Sequence, residues 1–185
     1  PDAEQVMLAF RFPGAGTAES ELMELADMIL CNGKAGLLDL NLNQKQRVLS
    51  SGTSVDMLKD YTVHSFFGSP REGQKLAEVK SLMLDQIAAV KKGEFPDWLL
   101  KASINDLKLR QIHNFESNYG RMNAMLESFI LGLDWRNRVQ KIDRLSKITK
   151  QQIVDFVNKN YNENYVVVYK HTGENKNVQK VEKPA

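Results

Sequence analysis

The chain has 185 residues, of which 42% are hydrophobic and 26% charged. That is ordinary globular usage, in a length that lets one domain bury roughly 70% of its unfolded surface. A net charge of +2, from 25 basic and 23 acidic side chains, gives no electrostatic case for nucleic acid or an anionic membrane. A single cysteine, Cys31, excludes a disulfide framework and a multi-cysteine zinc site, and no apolar run reaches the ~18 residues of a membrane span.

The start, Pro1-Asp2-Ala3-Glu4, has no signal-peptide pattern and no initiator methionine, as expected of a processed protein or a piece of a longer one. Val6 to Phe12 (VMLAFRF) then reads as a mostly buried strand closed by Pro13-Gly14. Thr17 opens a helix with Glu19 and Glu21 in its first turn, where the helix dipole favours negative charge. Leu22, Leu25, Ala26 and Ile29 keep helical spacing, and Asn32-Gly33 is the expected left-handed stop.

The next stretch, "LCNGKAGLLDLNLNQKQRV", supports three readings: a phosphate loop at Asn32–Gly36, a strand through Leu38, Leu40 and Leu42, or a second helix. Val48 to Ser54 and Lys59 to Phe67 read as two strands. In the second, Tyr61, Val63, Ser65 and Phe67 share one face and Thr62, His64 and Phe66 the other.

The middle of the chain is helical. Leu76, Val79, Met83, Ile87 and Val90 form a stripe closed by Lys91-Lys92-Gly93. Pro96 interrupts, and a helix is expected from Asp97 to about Tyr119, with a break at Gly120. Met122, Met125, Leu126, Phe129, Ile130 and Leu133 then form an apolar face, expected to join the core, and Val139, Ile142 and Leu145 continue at helical spacing. Thr149 and Gln152 form a capping box, with Ile148 and Ile153 at the positions of a hydrophobic staple, and Phe156 and Val157 face inward. Asn164 to Lys170 (NYVVVYK) is a strand rich in β-branched and aromatic residues. The polar, Lys-rich tail reads as a linker, giving a domain over 1–171 and a linker over 172–185. This order predicts an α+β two-layer sandwich, a mainly antiparallel sheet covered by helices on one face.

No catalytic motif assembles. The phosphate-loop pattern needs Ser or Thr after Gly-Lys, a glycine five residues earlier and a preceding strand, and Gly33-Lys34-Ala35 has none of these. His64, His113 and His171 lie far apart in sequence, against the converging ligands a zinc site requires. "HNFES", His113 to Ser117, matches four of five positions of H-x-x-E-H, but Ser117 stands where the second histidine belongs. Cys31, at a helix C-terminus, is placed against thiolate formation. Met7, Met23, Met28, Met83, Met122 and Met125 fit core stripes.

Three stretches carry a resemblance: "LADMILCNGKAGLLDLNLNQKQRV", "EVKSLMLDQIAAVKKGEFPDWLLKASINDLKLR" and "VQKIDRLSKITKQQIVDFVNKNYNENYVVVYK". In element order the chain resembles a non-catalytic domain of the insulinase/pitrilysin family of zinc metallopeptidases, which includes the mitochondrial processing peptidases. The resemblance makes Gly33–Gly36 a helix-to-helix turn, with Leu38 and Leu42 one turn apart on a second helix. It also locates the family's H-x-x-E-H on the first long helix, and here Ala18 to Leu30 holds Glu19, Glu21 and Glu24 but no histidine. Some members supply a substrate-binding Arg and Tyr from a later domain. The matching region, Ser50 to Phe67, has Tyr61 but no Arg, so that role is not carried over. Tyr61, His64 and Phe66 are the candidate substrate-facing residues, and no catalytic or metal residue is expected in this chain.

The implied place is the second domain of an N-terminal half, just before a linker. The implied role is an accessory wall of a chamber enclosing unfolded peptide, with zinc held by another domain of the parent. The implied partners are the catalytic and other homologous domains of the same polypeptide and the peptide substrate. The alternatives are a purely structural paralogue in a larger assembly and a peptide-binding module using an exposed strand edge.

Overall fold

The computed structural model describes residues 3–173. Strands β1 (Gln5–Pro13), β2 (Ser50–Met57), β3 (Tyr61–Ser69) and β4 (Tyr165–Lys170) form one sheet in the order β2-β3-β1-β4, every pair antiparallel. The α-helices of the described residues are α1 (Ala18–Leu30), α2 (Leu76–Lys91), α3 (Asp97–Glu116), α4 (Asn118–Leu131), α5 (Trp135–Val139), α6 (Lys141–Leu145) and α7 (Lys150–Asn160).

Period-two alternation decides the sheet's inner face. Val6, Leu8, Phe10 and Phe12 of β1 are all buried. The register sets Leu8 opposite Phe66, Phe10 opposite His64 and Phe12 opposite Thr62. Onto this face pack Met23 and Ile29 of α1, Val79, Met83 and Val90 of α2, and Ile153 and Val157 of α7. Phe10 and Phe66 meet edge-to-face with ring centroids 5.9 Å apart. The result is the expected α+β two-layer sandwich.

The opposite face is bare among the described residues. Met7, Ala9, Val63 and Phe67 are half-buried there, while Val166 and Val168 are 66% and 48% exposed.

The ambiguous stretch is helical. Thr17 caps α1, its hydroxyl accepting from the Ser20 N–H at 3.1 Å. The chain turns through Asn32–Gly36 and re-enters a helix whose core face is Leu37, Leu38 and Leu42. Here the N–H groups of Gln44 and Arg47 bond carbonyls five residues back, on Asp39 and Leu42, giving a widened π-type turn. The Asp39 carboxylate pins the connecting loop, accepting from the N–H groups of Asn32, Gly33 and Gly36 at 3.0, 3.0 and 3.1 Å.

Several boundaries differ from expectation. The first hairpin strand starts at Ser50, not Val48, because Val48 is drawn into the core at the end of the widened helix. Its partner starts at Tyr61, not Lys59, because the Leu58 N–H bonds the Tyr61 carbonyl and makes Lys59-Asp60 the turn. The break between α3 and α4 falls at Ser117, whose hydroxyl accepts the Gly120 N–H at 2.9 Å. Gly120 lies inside α4, where a Cβ would stand 1.8 Å from the Asn114 carbonyl oxygen. The Arg121 guanidinium reaches back to the Phe115 and Glu116 carbonyls, satisfying the open end of α3.

The apolar face of α4 is the main departure. Met122, Met125, Leu126, Phe129 and Ile130 are between 50% and 85% exposed, and the buried side is Gly120, Ala124 and Ser128. Helical spacing gives the amphipathicity of a helix, not which face meets the core. The small residues allow close approach to the rest of the domain, so they go inward. The stripe Val139, Ile142, Leu145 is divided between α5 and α6; Leu145 is buried and Val139 is 45% exposed.

The last helix carries the expected capping box: Gln152 Oε1 accepts the Thr149 N–H at 2.8 Å and Thr149 Oγ1 accepts the Gln152 N–H at 3.3 Å. Residues 174–185, most of the expected linker, lie outside the described residues.

Candidate functional site

Helix α1 follows the first strand, the position where the resemblance locates a metal-binding helix. Its acids are engaged otherwise. Glu21 takes a forked contact from Arg144, with Nε at 3.1 and 3.2 Å and Nη2 at 2.5 Å. Glu24 pairs with Lys141 at 2.5 Å and Glu19 with Lys159 at 3.3 Å. Asp27 Oδ1 lies 3.0 Å from His64 Nε2. All four carboxylates therefore tie α1 to neighbouring elements: α6 through Arg144 and Lys141, α7 through Lys159, and β3 through His64.

His64 is the centre of a buried polar chain. Its side chain is fully enclosed, with Nδ1 2.6 Å from the Tyr161 hydroxyl and Nε2 on Asp27. In a neutral ring one tautomer satisfies both bonds: Nε2–H donates to the Asp27 carboxylate and the Tyr161 hydroxyl donates to Nδ1. Burial, and then the Asp27 carboxylate, hold Tyr161 ionisation well above its ordinary value. Acid, imidazole and hydroxyl line up as in a nucleophilic relay, but the inner face of the sheet encloses the imidazole and the phenol, so no substrate reaches them.

The three candidate substrate-facing residues are not brought together. His64 and Phe66 are fully buried on the helix-covered face. Tyr61, on the opposite face, keeps 38% exposure with the Arg11 guanidinium 5.0 Å from its ring centroid. The sequence did place His64 and Phe66 together on one face of the strand. The polar chain through Asp27 and Tyr161 has one trace in the sequence, a histidine at an inward strand position.

His113 and Glu116 pair at 3.3 Å on α3, both about two-thirds exposed. Cys31 Sγ approaches Asp39 Oδ1 at 3.7 Å, and burial, then the Asp39 charge, push its thiol up from 9.0. Among the described residues no group of three or more His, Cys, Asp or Glu is placed to hold a metal ion. The donor set of α1 does not fit zinc: its acids are already engaged by Lys159, Arg144, Lys141 and His64, and the His64 imidazole is buried in the core. No described helix is long and apolar enough to cross a membrane.

Known structures share this fold. A protease from Helicobacter pylori superposes with a TM-score of 0.84 at 18% identity, over 90% of this chain and 40% of that one. The inactive peptidase domain of a candidate zinc protease from Bordetella parapertussis gives 0.82 at 15% identity, over 94% of both chains. A chain of complex III2 from Candida albicans gives 0.74 at 10% identity, over 90% of this chain and 42% of that one. The chain thus spans well under half the length of the Helicobacter and Candida proteins. No curated protein matches it significantly. A family model described as the peptidase M16 inactive domain matches residues 1–107, more than half of the sequence. On that match, the chain belongs to the peptidase M16 inactive-domain family.

Proposed function

We propose that this domain is an accessory wall of a zinc endopeptidase, enclosing unfolded peptide while another domain of the parent holds the zinc and cuts. The observation that carries this reading is the fate of α1: Glu19, Glu21, Glu24 and Asp27 serve as tethers to α7, α6 and β3. A helix so committed positions a scaffold and leaves no carboxylate to act as general base. The name of the Bordetella relative, the inactive peptidase domain of a candidate zinc protease, supports the same division of labour. The wall excludes folded proteins and restricts the poses of an extended chain, which lowers the entropic barrier to attack at a zinc held elsewhere. Of the candidate substrate-facing residues, Tyr61 is the one with an exposed ring to offer. The domain extends over 1–171 and the residues from 172 link it onward.

The test is metal analysis and peptide cleavage. The isolated chain should carry no stoichiometric zinc and cleave no peptide, and the parent without this domain should keep its zinc but lose cleavage of long peptides. One tightly held zinc per isolated chain, or peptidase activity from it, would overturn the reading.

Likeness to a complex III2 chain supports a second reading, a non-catalytic building block of a larger assembly. A parent that binds no zinc and cuts no peptide would favour it.

A further inference from the structure

Asn32-Gly33 is the only Asn-Gly pair in the sequence. A glycine after asparagine leaves the side-chain amide open to its own backbone, because no Cβ shields the following main-chain nitrogen. In that reaction the Gly33 nitrogen gives its proton to solvent base and bonds to Asn32 Cγ. The Cγ–Nδ2 bond breaks, and ammonia leaves with a proton taken from water. Water then opens the resulting succinimide ring at either carbonyl, leaving aspartate or isoaspartate at position 32. The only co-reactant is water, and nothing is oxidised or reduced.

The loop meets two of the requirements and withholds the third. Gly33 is exposed at φ +77°, and a Cβ built on it would meet nothing within 4 Å, so sterics leave the site open to water. Asn32 Oδ1 accepts the N–H groups of Lys34 and Ala35 at 3.0 and 2.8 Å, which draws electron density from Cγ. The nucleophile is what is missing. The Gly33 N–H donates to Asp39 Oδ2 at 3.0 Å, so losing that proton would build a second negative charge against a carboxylate. The carboxylate is itself fixed: it is 7% exposed, Oδ2 also accepts from Asn32 and Gly36, and the Cys31 thiol approaches Oδ1 at 3.7 Å. Asn32 Nδ2 donates to the Met28 carbonyl at 3.0 Å, which anchors the amide to the end of α1. We infer that Asn32-Gly33 is a self-modification site gated by Asp39, silent while the loop is closed and converted to aspartate or isoaspartate when it opens. Reclosing does not reverse the change. A carboxylate at position 32 has no hydrogen to give the Met28 carbonyl, and it sets negative charge at the C-terminal end of α1 and beside Asp39. Isoaspartate also lengthens the main chain by a methylene, which moves the Gly33 N–H off its acceptor. The inference goes beyond the proposed function and does not depend on peptide cleavage.

Peptide mapping for isoaspartate at position 32, during incubation of the chain in mildly alkaline buffer, tests it. The folded wild-type chain should convert roughly tenfold or more slowly than the urea-unfolded chain, since the reaction must wait for a local opening. Asp39→Asn, with folding checked by far-UV circular dichroism, should convert faster than wild type in the same buffer. A second measurement needs no variant: in rising, sub-denaturing urea, amide exchange of the Gly33 N–H and conversion of Asn32 should accelerate together. A folded wild-type chain that converts as fast as the unfolded one would overturn the inference. So would a folded Asp39→Asn chain no faster than wild type, or Gly33 exchange that rises while conversion stays constant. If Asp39→Asn does not fold, the urea series decides.

Discussion

His64 Nδ1 stands 2.6 Å from the Tyr161 hydroxyl, joining the middle of a strand to the residue that ends the last helix, 97 positions later. The bond closes the core around Phe10 and Phe12, whose rings lie 4.9 and 5.0 Å from the Tyr161 ring.

Tyr161→Phe keeps the ring packing and removes the donor to a buried imidazole nitrogen. It should cost about 1–3 kcal/mol, the penalty of leaving a buried polar atom unpaired. Urea denaturation checks this. An unchanged midpoint would mean that His64 finds another partner.

The same tyrosine sets a pH dependence. Its ionisation is displaced well above 10.0, by burial first and the Asp27 charge second. The folded chain therefore holds this proton more tightly than the unfolded chain. The resulting stabilisation is complete below about pH 10 and is lost as pH climbs from there towards the folded value. Between about pH 9 and 11 the urea midpoint of the wild-type chain should fall more steeply than that of Tyr161→Phe. Parallel slopes would contradict the displacement.

Gly120→Ala would set a methyl group 1.8 Å from the Asn114 carbonyl oxygen, so α3 and α4 must separate. The expected cost is about 1–3 kcal/mol, the usual range for overpacking. It should be local, appearing as faster amide exchange over Asn118–Leu131. Exchange rates equal to wild type would show that the two helices are not held at this distance.

Ile153 is fully buried at the first inward position of α7. Ile153→Ala should cost about 2–5 kcal/mol, the transfer of the lost methylenes plus the cavity they leave. A change near zero in denaturation midpoint would remove α7 from the core.

Much of the fold is legible in the sequence because local patterns and tertiary burial agree. Val6 to Phe12, the stripe from Leu76 to Val90 and the capping box at Thr149 each name both their element and their buried side. Where burial is decided by something other than hydrophobicity, the sequence misleads. On α4 the small residues Gly120, Ala124 and Ser128 win the inward face because they permit close approach, and Phe129 is left 85% exposed. Ser117 ends one helix and caps the next through a hydroxyl contact that a nearby glycine obscures. Site chemistry was less legible still. His64 meets Asp27 and Tyr161 only once the chain has closed a separation of 97 residues, a distance no local pattern encodes.

The loop between α1 and the helix after it has the look of a phosphate cradle, with three main-chain N–H groups converging on one oxygen. That oxygen belongs to the chain itself: Asp39 Oδ2 sits where an incoming anion would have to settle. The cradle is self-quenched. Millimolar inorganic phosphate has no vacancy to fill here, and Asp39→Asn would trade the resident negative charge for a neutral amide, loosening the bend rather than opening a receptor.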